Sequence, residues 1–395
     1  MRALDILHTR LSHAVEFMHA ARWKAVWLLV QAVIGGERLW LTALGRARPG
    51  SAQAKHAIKA ADRLLGNPHL LAERLLVYRG LAHLLIAPMS HPIILVDTVE
   101  VRARWFALVA SVPFEGRSFV VCARVTRRLK PRTPTLVQFL HDLRQVLPAG
   151  CRPILVSDAG FESPWFDAVA SFGWDYVGRV RNATKLLIGG RWVGNEVVHR
   201  RATNRAQNLG LVAFPRKRPS ERRMVLAKKP KTAHRRRRGR SGRIAHKGMD
   251  HRYRNGAREP WLLATSLTSR PDAVIAVFAL RMRIEETFRD VKNFRWGWSL
   301  RHCGSRSRER LEVLLLIGAI ALLVQQVIGR AAENLQLHHQ HQANTERQRR
   351  VLSIFLLGGL ILRGHSPHSL SAADLEAALE QVRTAASDSV GADDP

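Results

Sequence analysis

Ile93-Ile94-Leu95-Val96-Asp97 marks a change of period in the chain. Four consecutive apolar residues, three of them β-branched, running into a carboxylate predict a strand buried on both faces. A second run of the same form, Pro153-Ile154-Leu155-Val156-Ser157-Asp158, ends the same way. Between them, Arg104 to Val112 and Ser118 to Val125 read as strands joined across Pro113-Phe114-Glu115-Gly116, and Thr135 to Leu147 as an amphipathic helix. A helix from Trp165 to Phe172 and a strand from Trp174 to Val180 follow. Strands mixed with helices in this order predict an α/β fold built on a mixed sheet.

Working outward, residues 1–88 read as a helical region, with apolar residues at helical spacing such as Leu7, Leu11, Val15 and Met18. Gly35-Gly36, Arg48-Pro49-Gly50 and Gly66-Asn67-Pro68 divide it into four or five short helices. The cations Lys55, Lys59 and Arg63 gather on one of them, as a solvated face or a DNA contact. Residues 89–180 hold the α/β segment, and 181–270 return to short strands separated by polar, Gly- and Arg-rich loops. Residues 271–330 carry long helices, predicted from Pro271 to Asn293 and from Arg306 to Arg330. Residues 331–395 add helices near Gln348–Leu362 and Ala372–Arg383 and an acidic tail.

Charge narrows the partner. The 395 residues include 63 Lys and Arg against 31 Asp and Glu, a formal charge of +32, with a hydrophobic fraction of 46% that argues for a folded chain. Such a surplus predicts a polyanion, nucleic acid first and an anionic membrane surface second. The segment 216–254 alone holds 17 Lys and Arg against two acids, which suits salt-sensitive grip on phosphates. The three cysteines, Cys122, Cys151 and Cys303, form no CxxC pair, so neither a disulfide scaffold nor a cysteine zinc site is expected, and a cytoplasmic location is. Leu311 to Ile328 is about as long as a short membrane span, but it contains Glu312, Gln325 and Gln326, so a buried core helix is expected, with no membrane partner.

Chemistry concentrates in three carboxylates. Asp97 and Asp158 at strand ends would project beyond a sheet edge, where a substrate reaches. The predicted helix 271–293 supplies a third. With Phe278 at zero and about 100° per residue, Arg281, Glu285 and Lys292 fall between about 300° and 340° and Arg289 at about 20°. Val277, Leu280, Ile284, Thr287, Phe288 and Val291 form the core face, leaving Glu286 and Asp290 toward solvent. An exposed helix laced by i,i+4 ion pairs gives the same pattern, since Arg281 and Glu285 have that spacing. Three crowded carboxylates repel one another, which a divalent cation relieves. His338-His339-Gln340-His341 reads as a polar loop. Trp192, Trp261, Trp296 and Trp298 read as core by default, with stacking on an unpaired base as the alternative. The chain has no P-loop, hydrolase elbow or dinucleotide fingerprint.

Phe278-x2-Arg281-x3-Glu285-x6-Lys292 resembles the Tyr-x2-Arg-x3-Glu-x6-Lys signature of bacterial insertion-sequence DDE transposases of the IS-four family. Val96-Asp97-Thr98 and Asp158-Ala159-Gly160-Phe161 are similar to its two aspartate motifs, and Asp62-Arg63-Leu64-Leu65-Gly66-Asn67 is similar to a further, less diagnostic one. The resemblance spans residues 50 to 330. It implies a ribonuclease-H-like catalytic core with a β-rich insertion domain at 181–270 and a helical N-terminal DNA-binding region. It further implies that Asp97, Asp158 and Glu285 are catalytic and hold two Mg2+ ions, or Mn2+ in their place. Arg281, Lys292, Arg289 and Phe278 would contact DNA, Phe278 without the hydroxyl of the usual tyrosine. The implied partners are terminal inverted repeats, target DNA and a second copy of the chain. Two other readings of the same residues are a non-catalytic DNA-binding protein and a metal-dependent nuclease without strand transfer.

Overall fold

In a computed structural model of the chain, the described residues are 2–36, 38–87, 89–181, 184–228, 259–343, 350–365 and 369–387. The basic stretch 216–254 lies outside them from residue 229 onward, as does the predicted helix start at Gln348. The described residues form two compact units, one drawn from 1–153 and 281–394 and the other from 154–280.

The first unit opens with five helices, α1 (Arg2–His13), α2 (Ala20–Gly36), α3 (Leu41–Ala47), α4 (Ala54–Leu65) and α5 (Pro68–Ile86). Gly66-Asn67-Pro68 works as the spacing predicts: Gly66 ends α4, the Asn67 side chain accepts from Leu70 N, and Pro68 starts α5. Ala57, Ala61 and Leu64 of α4 are buried, which leaves Lys55, Lys59 and Arg63 on its exposed face. Three antiparallel strands follow, β1 (Ile93–Arg102), β2 (Trp105–Phe114) and β3 (Arg117–Thr126), in the order β3-β2-β1. The β2–β3 connection narrows to Glu115-Gly116, with φ of 22° and 78°, a two-residue turn whose twist suits a hairpin.

Helix α6 (Thr133–Val146) packs on β3 beside α5. The second unit begins with β4 (Ile154–Ser157), α7 (Ser163–Ser171) and β5 (Asp175–Arg179). It continues with β6 (Lys185–Ile188), β7 (Arg191–Gly194), α8 (Asn195–His199), β8 (Gln207–Phe214), β9 (Ser220–Ala227), β10 (Trp261–Thr265) and α9 (Pro271–Ala279). Its strand order is β4-β5-β10-β9-β8-β6-β7, with β4 and β5 parallel and the rest antiparallel. Arg222 anchors this unit: its buried guanidinium reaches Ser163 and Asp167 of α7.

The first unit resumes with α10 (Met282–Lys292), α11 (Arg308–Asn334), α12 (Ile354–Leu362) and α13 (Ala372–Ser387). Among the described residues α11 is the one helix long and apolar enough to cross a membrane, and its apolar window is wholly buried, as a core helix requires.

Two expectations are corrected. Asp97 does not end its strand. It sits inside β1, opposite Val109 of β2, and the strand runs on to Arg102 because β2 continues to offer partners as far as Trp105. The predicted single helix 271–293 is two helices, α9 and α10. Leu280 N–H bonds to Val277 O and Ile284 N–H to Arg281 O, an i to i−3 pattern that tightens the turn between them. No Pro or Gly marks the break. Phe278 is committed to the core of one unit and Ile284 to that of the other, so the two halves follow different packing partners.

Candidate active site

The site in the first unit is built on β1 and α10. Helix α10 docks through Ile284, Phe288 and Val291, all buried, and Phe288 and Val291 share a wall with Val109, Val120 and Ala123 of the strands. Polar groups fix its rotation and height. Thr287 Oγ1 accepts from Ser118 N at 2.8 Å and donates to Arg283 O at 2.9 Å. Arg117 Nε pairs with Asp290 at 2.6 Å, and Arg117 also lies at 4.0 Å from Glu286. Glu286 and Asp290, expected toward solvent, are thus half-buried because an arginine from the adjacent strand meets them.

This docking brings Glu285 toward Asp97. Arg281 lies between the two carboxylates: Nη1 is 3.8 Å from Asp97 Oδ2, and Nη2 bonds to Glu285 Oε1. The other Asp97 oxygen accepts from Thr98 N at 2.7 Å. Arg281 is 8% exposed, whereas the side chains of Asp97 and Glu285 are 23% and 40% exposed. The arginine is therefore walled in while the acids open to solvent. Lys292 stands two turns beyond Glu285, its Nζ 5.8 Å from the Phe288 ring centre. Burial pushes its ammonium below the ordinary lysine range and Arg301 adds to the push, while Asp97, Glu100 and Glu285 oppose it. Glu100, paired with Arg301 at 2.9 Å, is a further acid of this region that the motif does not single out. Its only sequence signal is its place on the same strand as Asp97.

Asp158 belongs to the second unit. It follows the last residue of β4 directly, as predicted, and its backbone carbonyl accepts from Phe161 N at 3.1 Å, which turns the chain into α7. Phe278 is also in this unit, 3% exposed, with its ring edge-on to Trp261 at 5.0 Å. Arg289 projects from α10 with its side chain 62% exposed and pairs with Glu286. The structure thus gathers Asp97, Arg281, Glu285 and Lys292 in one unit and carries Asp158 and Phe278 in the other.

Among the described residues no three His, Cys, Asp or Glu side chains gather within reach of one metal ion. The donor chemistry of the pair in the first unit still suits one: Asp97 and Glu285 offer hard carboxylate oxygens without sulfur or imidazole. Between them stands a cationic guanidinium, the charge a metal ion would supply. Partly exposed acids beside Arg281 and Lys292, in a chain of +32, are the kinds of group that phosphodiester cleavage or transfer uses. Residues 89–324 match the transposase DDE domain, and the chain belongs to that family. Nuclease or transesterase chemistry in general, with DNA as partner and divalent metals typical, comes with membership. No curated protein matches the chain.

Proposed function

We propose that the chain is a DNA transposase of the IS-four type that binds the terminal inverted repeats of its element, cleaves there and joins the ends to target DNA. The observation that carries this reading is the family match, which runs from the strand of Asp97 to beyond the helix of Glu285, together with the Asp97–Arg281–Glu285 bridge inside it. We read the strands and helices of that segment as a ribonuclease-H-like core and residues 181–270, which carry β6 to β10, as its insertion.

Asp97, Asp158 and Glu285 would hold two Mg2+ ions. Bound there, the ions would supply activation of the attacking oxygen and stabilisation of the leaving one. The chain's own residues do the rest. Lys292, part-buried on the Glu285 helix, holds a phosphate oxygen from the protein side. Arg281 keeps two carboxylates together against their mutual repulsion, and its guanidinium is the group from which a phosphate can accept hydrogen bonds. Arg289, on the exposed side of the same helix, adds grip on the backbone outside the reacting phosphate. Lys55, Lys59 and Arg63 present a second cationic face at the N-terminus. Water as nucleophile cuts; a DNA 3′-hydroxyl as nucleophile joins, so one site serves both steps. Two ends must be held together, so the working complex in the cytoplasm contains two copies of the chain.

The test is incubation of the protein with Mg2+ and a duplex carrying the inverted repeat, followed on a sequencing gel. Specific nicking at the repeat boundary and strand joining are expected from the wild type and from neither Asp158→Ala nor Glu285→Ala. Undiminished cutting by those variants would overturn the site.

A further inference from the structure

We propose that residues 293–299, the loop that leaves the Glu285 helix, together with Arg38 and Trp40, form a platform for unpaired DNA. Bases stack on Phe294 and Trp296, and arginines beside them hold the phosphates. The inference rests on the DNA-transposase reading and adds a second DNA surface to it.

The loop presents two large rings to water. Phe294 is 56% exposed and Trp296 65%, while Trp298 and Leu300 beyond them are fully buried. Isolated exposed apolar residues are ordinary, but two aromatics displayed by one short loop mark a contact surface. The backbone beneath them is pinned. Asn293 Oδ1 accepts from both Arg295 N at 2.8 Å and Trp296 N at 3.0 Å, and Asn293 O accepts from Ser299 N at 3.3 Å. Gly297 lies so close to the helix that a Cβ there would stand 1.6 Å from Asp290 O, and no side chain fits. Leu39 N donates to Trp298 O at 2.9 Å, which ties the segment of Arg38 and Trp40 to the same loop. The rings are therefore held in the open by a fixed frame.

Cations accompany the rings. The Arg38 guanidinium lies 5.3 Å from the Phe294 centre and 5.7 Å from that of Trp40, and its Nη1 reaches Gly297 O at 3.4 Å. His302 sits edge-on to both Phe294 and Trp40. Arg295 is exposed between the two rings in sequence, and Arg306 is exposed on the wall of an adjoining open recess of about 640 Å3 that Trp40 and His302 also line. Aromatic faces interleaved with arginines match a single strand, which offers base faces and phosphates together. A duplex, its bases already stacked, offers only the phosphates.

The experiment measures fluorescence anisotropy of the full chain, without divalent metal, on labelled duplexes of about twenty base pairs, blunt or with an overhang of about four nucleotides. Wild type is expected to bind the overhang duplex more tightly than the blunt one. Phe294→Ala/Trp296→Ala is expected to lose roughly tenfold on the overhang duplex and nothing on the blunt one, with Trp296→Phe retaining most of the preference. Arg38→Gln, which leaves both rings in place, is expected to lose a smaller part of it. Overhang binding unchanged in all three variants would overturn the platform while leaving the transposase reading intact. Absence of binding to either duplex by wild type would overturn both.

Discussion

Asp142 and Glu312, each with a side chain 4% exposed, sit among Arg74, Arg124 and Arg308, whereas Asp97 and Glu285, 23% and 40% exposed, share the guanidinium of Arg281. Both clusters are arginine and carboxylate in the same unit, and they have opposite uses. In the buried one, Glu312 pairs with Arg74 at 3.1 Å and Arg308 at 3.0 Å and accepts from Val125 N at 3.3 Å. Asp142 pairs with Arg124 and accepts from Gln138 at 3.5 Å. Such a network joins α5, α6, α11 and β3, and its charges stay inside because each has partners. In the open cluster the acids keep a face toward solvent while their arginine is enclosed. Residue type does not separate structure from site; the distribution of partners and solvent does.

The comparison can be broken by substitution. Glu285→Ala should lower cleavage on the order of ten-thousandfold, because the group acts as part of a unit, yet leave urea unfolding close to wild type. Loss of folding comparable to loss of activity would erase the distinction between the clusters. Glu312→Ala should do the reverse and cost about 3 kcal/mol in urea unfolding, since it leaves the part-buried Arg74 and the buried Val125 N–H without their carboxylate partner. Gly297→Ala should cost about 1–3 kcal/mol by thermal melting, because the loop must leave the helix backbone to admit a Cβ. Arg281→Gln should tighten Mn2+ binding severalfold in calorimetry, since a competing cation beside the carboxylates is gone, while slowing DNA cleavage. Unchanged or weaker Mn2+ binding would show that the arginine does not occupy the metal's electrostatic place. Arg301→Ala, which removes an exposed partner of Glu100, should change stability by less than about 0.5 kcal/mol.

Much of the architecture was readable in the local pattern. Ile93–Val96 and Ile154–Val156 announced strands because an unbroken apolar run has no solvent face, and Gly66-Asn67-Pro68 announced a helix boundary because each residue has a distinct capping role. The Glu285 helix was readable as a candidate site carrier because its acids and bases recur at helical spacing. The break at Leu280–Arg281 was not, since neither residue opposes helix and both keep right-handed backbone angles. The solvent position expected for Asp290 failed for the same kind of reason: its partner, Arg117, lies 173 residues away in sequence.

The sequence by itself determined a cationic, mixed α/β chain with three candidate carboxylates, because charge, hydrophobic period and motif spacing are local properties. Only the tertiary structure decided that Asp97 lies within a strand rather than at its end. It also decided that Arg281 lies between Asp97 and Glu285, that Glu312 is sealed into the core, and that Trp296 stays outside while Trp298 goes in. Each of these depends on what packs across from the residue, and a side chain's charge or aromaticity does not specify its neighbour.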